Sequence, residues 1–125
     1  MFYQSMTSII IIDDEIDLIK GIVEYLKIFH IDTVGIGHNG LEAVCLYEKY
    51  MPDYVLIDLN MPMYDGFYGI SKIREMNKTA KIIIMTGFMD KIKNEKLDSN
   101  MPILEKPFSV IKLKQIIESK KHSTV

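Results

Sequence analysis

The chain has 125 residues, 48% hydrophobic and 26% charged, the proportions of one compact domain with a single core. Fifteen basic residues against seventeen acidic ones leave a net charge of -2, which argues against a polycationic nucleic-acid binder. A lone cysteine, Cys45, excludes an internal disulfide or a cysteine-only zinc site, and the longest aliphatic run, Ile9-Ile10-Ile11-Ile12, is far short of the ~20 apolar residues that span a membrane.

The elements alternate along the chain. Residues 8–12 form a continuous apolar run, and a helix follows with Ile19, Ile22, Val23 and Leu26 on one face. Residues 33–36 make a weaker strand, placed nearer an edge. The second helix opens at Asn39, with Glu42 three residues on in the manner of a capping box. Its inward stripe is read as Leu41, Val44 and Tyr47, with Cys45 a small packing residue. Apolar runs at 54–59, 82–85 and 101–104 supply three further strands. Helices are expected over 68–76, over 91–97 (short and polar) and after Ser109, where Val110, Leu113 and Ile117 face inward and Phe108 staples the turn. Met1-Phe2-Tyr3-Gln4-Ser5 has no basic region ahead of an apolar stretch, so no signal peptide is expected and the chain is placed in the cytoplasm.

Four of the five runs are mostly continuous, as strands buried on both faces of a parallel sheet should be. Alternation with helices then implies an α/β fold, a doubly wound parallel sheet whose ligands sit at the carboxyl ends of the strands. Those ends carry Asp13-Asp14, Asp58, Thr86 and Lys106. Each has an ordinary explanation alone: a helix cap, a loop acid, a strand-end threonine, a solvated charge. Independent structural needs would not select one sheet edge at four separate strands, so the set reads as a site. Clustered carboxylates need a cation, and an all-oxygen set suits Mg²⁺. With an ammonium and a hydroxyl beside it, the assembly suits a phosphoryl group. Asp58, ending the buried run Tyr54-Val55-Leu56-Ile57, is the expected nucleophile.

The motifs Ile9-Ile10-Ile11-Ile12-Asp13-Asp14-Glu15, Asp58-Leu59-Asn60-Met61-Pro62 with Asp65-Gly66, Thr86-Gly87 and Lys106-Pro107-Phe108 together resemble those of a response-regulator receiver domain of two-component signalling, of the stand-alone, chemotaxis-regulator-like kind. The resemblance covers 8–120, leaving 1–7 and 121–125 as short tails with no output domain. It implies a flavodoxin-like (βα)5 sheet of order 2-1-3-4-5. It implies that Asp58 accepts a phosphoryl group from a sensor histidine kinase or phosphotransfer protein. Asp13, Asp14, Asp58 and the Asn60 main-chain carbonyl would hold Mg²⁺, with Mn²⁺ an alternative. Thr86 is then the switch hydroxyl, Lys106 the partner of the phosphoryl oxygens, Gly87 a small residue leaving room, and Lys106-Pro107 a cis peptide aiming the lysine inward. The implied responding face comprises the fourth helix, fifth strand and fifth helix, used by a downstream target protein or in a phosphorylation-dependent dimer of an otherwise monomeric chain; direct contact with nucleic acid or membrane is not expected.

One position departs from the pattern. Ile103, three before Lys106, stands where the family often has Tyr or Phe, so an aromatic version of the switch is not available. The alternative reading is an unphosphorylated docking module, which has no need of the acid pair, Asp58 and Lys106 together. A phosphatase of haloacid-dehalogenase type is disfavoured because Asn60 stands where its second acid would be, so only slow self-dephosphorylation is expected. His30, His38 and His122 lack metal-like spacing and read as surface or helix-end residues. Methionines such as Met61, Met63 and Met85 read as core or strand-end filler.

Overall fold

A computed structural model describes residues 6–88, 97 and 100–122. In chain order it contains β1 (Thr7–Ile12), α1 (Ile16–Ile28), β2 (Ile31–Gly37), α2 (Gly40–Tyr50), β3 (Tyr54–Asp58), α3 (Gly66–Met76), β4 (Ile82–Thr86), β5 (Ile103–Glu105) and α4 (Val110–His122). Apart from Leu97, the helix expected over 91–97 lies outside the described residues. The strands form one parallel sheet in the order β2-β1-β3-β4-β5, as expected.

Strand alternation divides the core in two. Ile10, Ile12, Val55, Ile57, Ile82 and Ile84 point to one face, where Ala43, Tyr47, Ile70 and Ile73 of α2 and α3 cover them. Ile9, Ile11, Tyr54, Leu56, Ile83 and Met85 point to the other, under Ile19, Ile22 and Leu26 of α1 and Leu113 and Ile117 of α4. Each fully buried isoleucine contributes about 1.5–3 kcal/mol. The buried Tyr54 hydroxyl donates to the Ile117 carbonyl at 3.2 Å, tying α4 to the start of β3. Phe108 packs on this second core, in keeping with a staple.

The weak second strand is an edge, and it is longer than its apolar run. Its register to β1 shifts between Ile9–Thr33 and Ile10–Gly35, leaving Val34 as an extra residue. That bulge moves Gly35 and Gly37 onto the face beneath α2, where a Cβ would lie 2.9 Å from Leu46 Cδ2 and from Ile12 Cδ1 respectively. Leu46 fills the space that the two glycines leave.

The phase of α2 differs from its hydrophobic stripe. Asn39 caps the helix as expected, its side chain accepting the Glu42 N–H, but the Glu42 carboxylate returns to the His38 N–H rather than to that of Asn39. The inward face is Gly40, Ala43 and Tyr47, whereas Leu41 is 40% exposed. The cause is a close approach to α3: a Cβ on Gly69 would sit 3.3 Å from Gly40 Cα, so small residues must occupy the contact. Cys45 accordingly lies on the solvent side and is not a packing residue.

Strand ends shift slightly from expectation. β3 ends on Asp58 and β5 runs from Ile103 to Glu105, although the Pro102 carbonyl still accepts the Ile84 N–H. α3 starts two residues early because Asp65 caps it, accepting the Tyr68 N–H at 3.0 Å. Met61 and Met85 are buried, while Met63 is 90% exposed in the loop after β3.

Candidate functional site

Parallel strands deliver the polar residues to one edge. Asp13 follows β1, Asp58 and Thr86 end β3 and β4, and Lys106 follows β5. Apart from the hydroxyls of Tyr47 and Tyr54, Asp13, Asp58 and Thr86 carry the buried polar side chains among the described residues. Such residues persist only when something compensates their desolvation.

Lys106 supplies part of that compensation. Its Nζ lies 2.7 Å from Asp13 Oδ2, 3.3 Å from Asp58 Oδ2 and 3.4 Å from Glu15 Oε1. Burial alone would lower its pKa, but the hydrogen bond with Asp13 and the charges of Asp58 and Asp13 outweigh this and hold it above the ordinary lysine value. The Asp58 carboxyl is also raised. Burial is the main cause and the Asp13 charge adds to it, against the opposing pull of Lys106 and of the Asn60 N–H, which donates to Oδ1 at 3.3 Å. One ammonium therefore serves several carboxylates and does not fully satisfy them.

The remaining members surround this cluster. Asp14 is exposed, and one oxygen of each of Asp13, Asp14 and Asp58 lies within 4.8 Å of the others. Thr86 Oγ1 accepts from Asn60 Nδ2 at 3.3 Å and from the Phe88 N–H at 3.1 Å, which leaves its own proton to donate elsewhere. Gly87 borders a cleft of about 580 Å³ shared with Asp14, Glu15, Asp58, Asn60 and Lys106. Among the described residues, a Cβ at Gly87 would meet nothing within 4 Å. The Lys106-Pro107 peptide bond is cis.

The floor of the site is backbone against backbone. Gly66 N–H donates to the Leu59 carbonyl at 3.1 Å, and a Cβ on Gly66 would fall 2.3 Å from the Asp58 carbonyl oxygen. Only glycine lets α3 begin this close to the strand bearing Asp58.

With this geometry in place, the comparison with known proteins is decisive: residues 9–118 match the response regulator receiver domain family. The chain belongs to that family. It is 29% identical over 119 residues to the chemotaxis protein CheY of Listeria monocytogenes, covering 90% of this chain and 97% of that one. A CheY-like receiver domain from Methylobacillus flagellatus, 26% identical, superposes with a TM-score of 0.78 over 92% of this chain and 98% of its own. CheY in a CheX–CheY–BeF3–Mg²⁺ complex from Borrelia burgdorferi, 24% identical, gives 0.79 over 92% and 89%. Receiver domains of this family are phosphoacceptor signalling modules rather than conventional enzymes, and they work with histidine kinases and downstream targets. No helix among the described residues is long and apolar enough to cross a membrane.

The receiver's acid cluster fits a hard divalent cation on its own chemistry. Its donors are all oxygens, and buried Asp13 Oδ2 has the Lys106 ammonium, at 2.7 Å and shared with Asp58 and Glu15, as its one neighbouring donor among the described residues. Ile103 is half-buried and packs against the core that includes Leu97 and Met101. Two residues around the site carry contacts that the sequence reading did not assign. Glu15 reaches Lys106, a role its place beside the acid pair could have suggested; His38 reaches the Asp13 carbonyl through its ring, and no sequence signal marks it.

Proposed function

We propose that this receiver accepts a phosphoryl group on Asp58 from a phosphohistidine of a sensor kinase or phosphotransfer protein. The observation that carries the reading is a buried, incompletely compensated Asp58 carboxylate, 3.3 Å from Lys106 within a three-carboxylate cluster. An Asp58 oxygen attacks phosphorus as the P–N bond breaks, its electron pair leaving on the donor imidazole. Asp13, Asp14, Asp58 and the Asn60 main-chain carbonyl would hold Mg²⁺, or Mn²⁺, and the ion would supply neutralising charge there. Lys106 exchanges its Asp58 contact for the phosphoryl oxygens, and the Thr86 hydroxyl donates a hydrogen bond to them. The Mg²⁺ named with the Borrelia CheY complex supports this choice of ion.

The same reading assigns the output to protein contacts on β5 and α4, and on the expected fourth helix that lies outside the described residues apart from Leu97, with Thr86 movement shifting a two-state equilibrium without an aromatic at Ile103. Incubation with acetyl phosphate and MgCl2 should add one phosphoryl mass to the wild type and none to Asp58→Asn. Absence of any gain in a folded, magnesium-saturated wild type refutes the assignment. Steady release of phosphate from small esters would instead indicate a phosphatase.

A further inference from the structure

Both main-chain groups of Asp13 are held by the residues that close β2. Its N–H donates to the Gly37 carbonyl at 3.0 Å, and its own carbonyl oxygen lies 2.9 Å from His38 Nδ1. A carbonyl oxygen can only accept, so Nδ1 carries the ring proton in this contact. His38 is anchored in turn: its N–H donates to Glu42 Oε1 at 2.8 Å, in the turn where Asn39 caps α2. On the acid itself, Oδ1 is occupied by the Glu15 N–H at 2.9 Å. The other carboxylate oxygen, Oδ2, faces the shared Lys106 ammonium at 2.7 Å.

We propose that His38 is a positioning residue for the divalent cation. Its ring fixes the Asp13 peptide so that Oδ2 stays beside the carboxylates of Asp14 and Asp58, and it links that geometry to the first turn of α2. The inference rests on the reading of these three acids as metal ligands. Groups that orient a ligand from outside typically change metal affinity by 10–100-fold when removed. A single bond from an exposed ring belongs at the low end of that range.

The test is a MgCl2 titration of the full chain followed by backbone amide shifts, with urea unfolding in EDTA for every variant. His38→Ala and His38→Leu remove the donor. His38→Asn keeps one, since its Nδ2 is attached to Cγ as the histidine Nδ1 is. The magnesium Kd should rise about tenfold in the Ala and Leu variants and stay within about twofold of wild type in Asn, with similar metal-free stability throughout. An unchanged Kd in Ala and Leu overturns the inference, as does a loss of metal-free stability with the Kd preserved, which marks a merely structural contact. A wild type that fails to bind Mg²⁺ overturns the metal-site reading itself, and that failure shows in the first titration before any variant is compared.

Discussion

Asp58→Asn should stabilise the metal-free receiver. Lys106 lies 3.3 Å from Asp58, and one oxygen of each cluster carboxylate lies within 4.8 Å of one from each of the others. At an effective dielectric constant of ~20, a unit pair at the first distance attracts by about 5 kcal/mol and one at the second repels by about 3.5 kcal/mol. Repulsion from Asp13, with a weaker screened share from exposed Asp14, therefore cancels most of the attraction. Burial then decides the sign, in line with the raised pKa of Asp58. The neutral amide removes that cost, while Lys106 keeps Asp13 at 2.7 Å. A gain of about 1 kcal/mol, or ~4 °C in Tm, is expected at pH 7 in EDTA. The pH dependence has a definite sign. A carboxyl with a raised folded pKa takes up protons on folding, so wild-type stability falls, relative to the variant, as pH rises from the ordinary carboxylate value through the folded one. The advantage of Asn is thus complete above that window and vanishes below it. Urea unfolding followed by circular dichroism between pH 7 and pH 4.5 measures it. A less stable variant at pH 7, or a difference independent of pH, refutes the reasoning.

Two glycine substitutions should move stability in opposite directions. Gly66→Ala drives a Cβ to 2.3 Å from the Asp58 carbonyl and 2.7 Å from Leu59 Cα, so it should cost about 3 kcal/mol despite better helix propensity. Gly21→Ala, in mid-α1 with nothing among the described residues within 4 Å, should add about 0.5–1 kcal/mol; equal urea midpoints for the two would be inconsistent with the α3–β3 contact. Asn39→Ala deletes the cap on the Glu42 N–H and should lower stability by about 1 kcal/mol, read from the same unfolding curves. Lys106→Gln leaves Asp13 and Asp58 without their ammonium and should cost about 3 kcal/mol in EDTA. MgCl2 should restore part of that loss, and no recovery at saturating magnesium would count against the shared role of lysine and metal.

The order of elements was legible because strands buried on both faces announce themselves as unbroken aliphatic runs, and β1, β3 and β4 are of this kind. Polar residues ending such runs are equally visible, which is why Asp13, Asp58, Thr86 and Lys106 could be gathered on one edge before any coordinates. The rest depends on contacts that a hydropathy pattern does not encode. At its first turns α2 sets Gly40 and Ala43 inward because α3 approaches at Gly69, so Leu41 points outward even though Leu46 and Tyr47 further along the helix pack inward. The register shift at Val34 adds a residue without changing the composition of β2. His38 meets Asp13 across 25 positions of sequence, through a main-chain carbonyl that every residue possesses.

The extra residue at Val34 also bears on how copies of this chain can meet. A sheet with open edges invites addition of a foreign strand, the route to domain swapping and fibrils. Here one border strand has its hydrogen-bond spacing broken in the middle, and the other, β5, has only three residues. Neither offers a long, regular template. Self-association of this receiver should therefore favour helical surfaces over strand addition at either edge of the sheet.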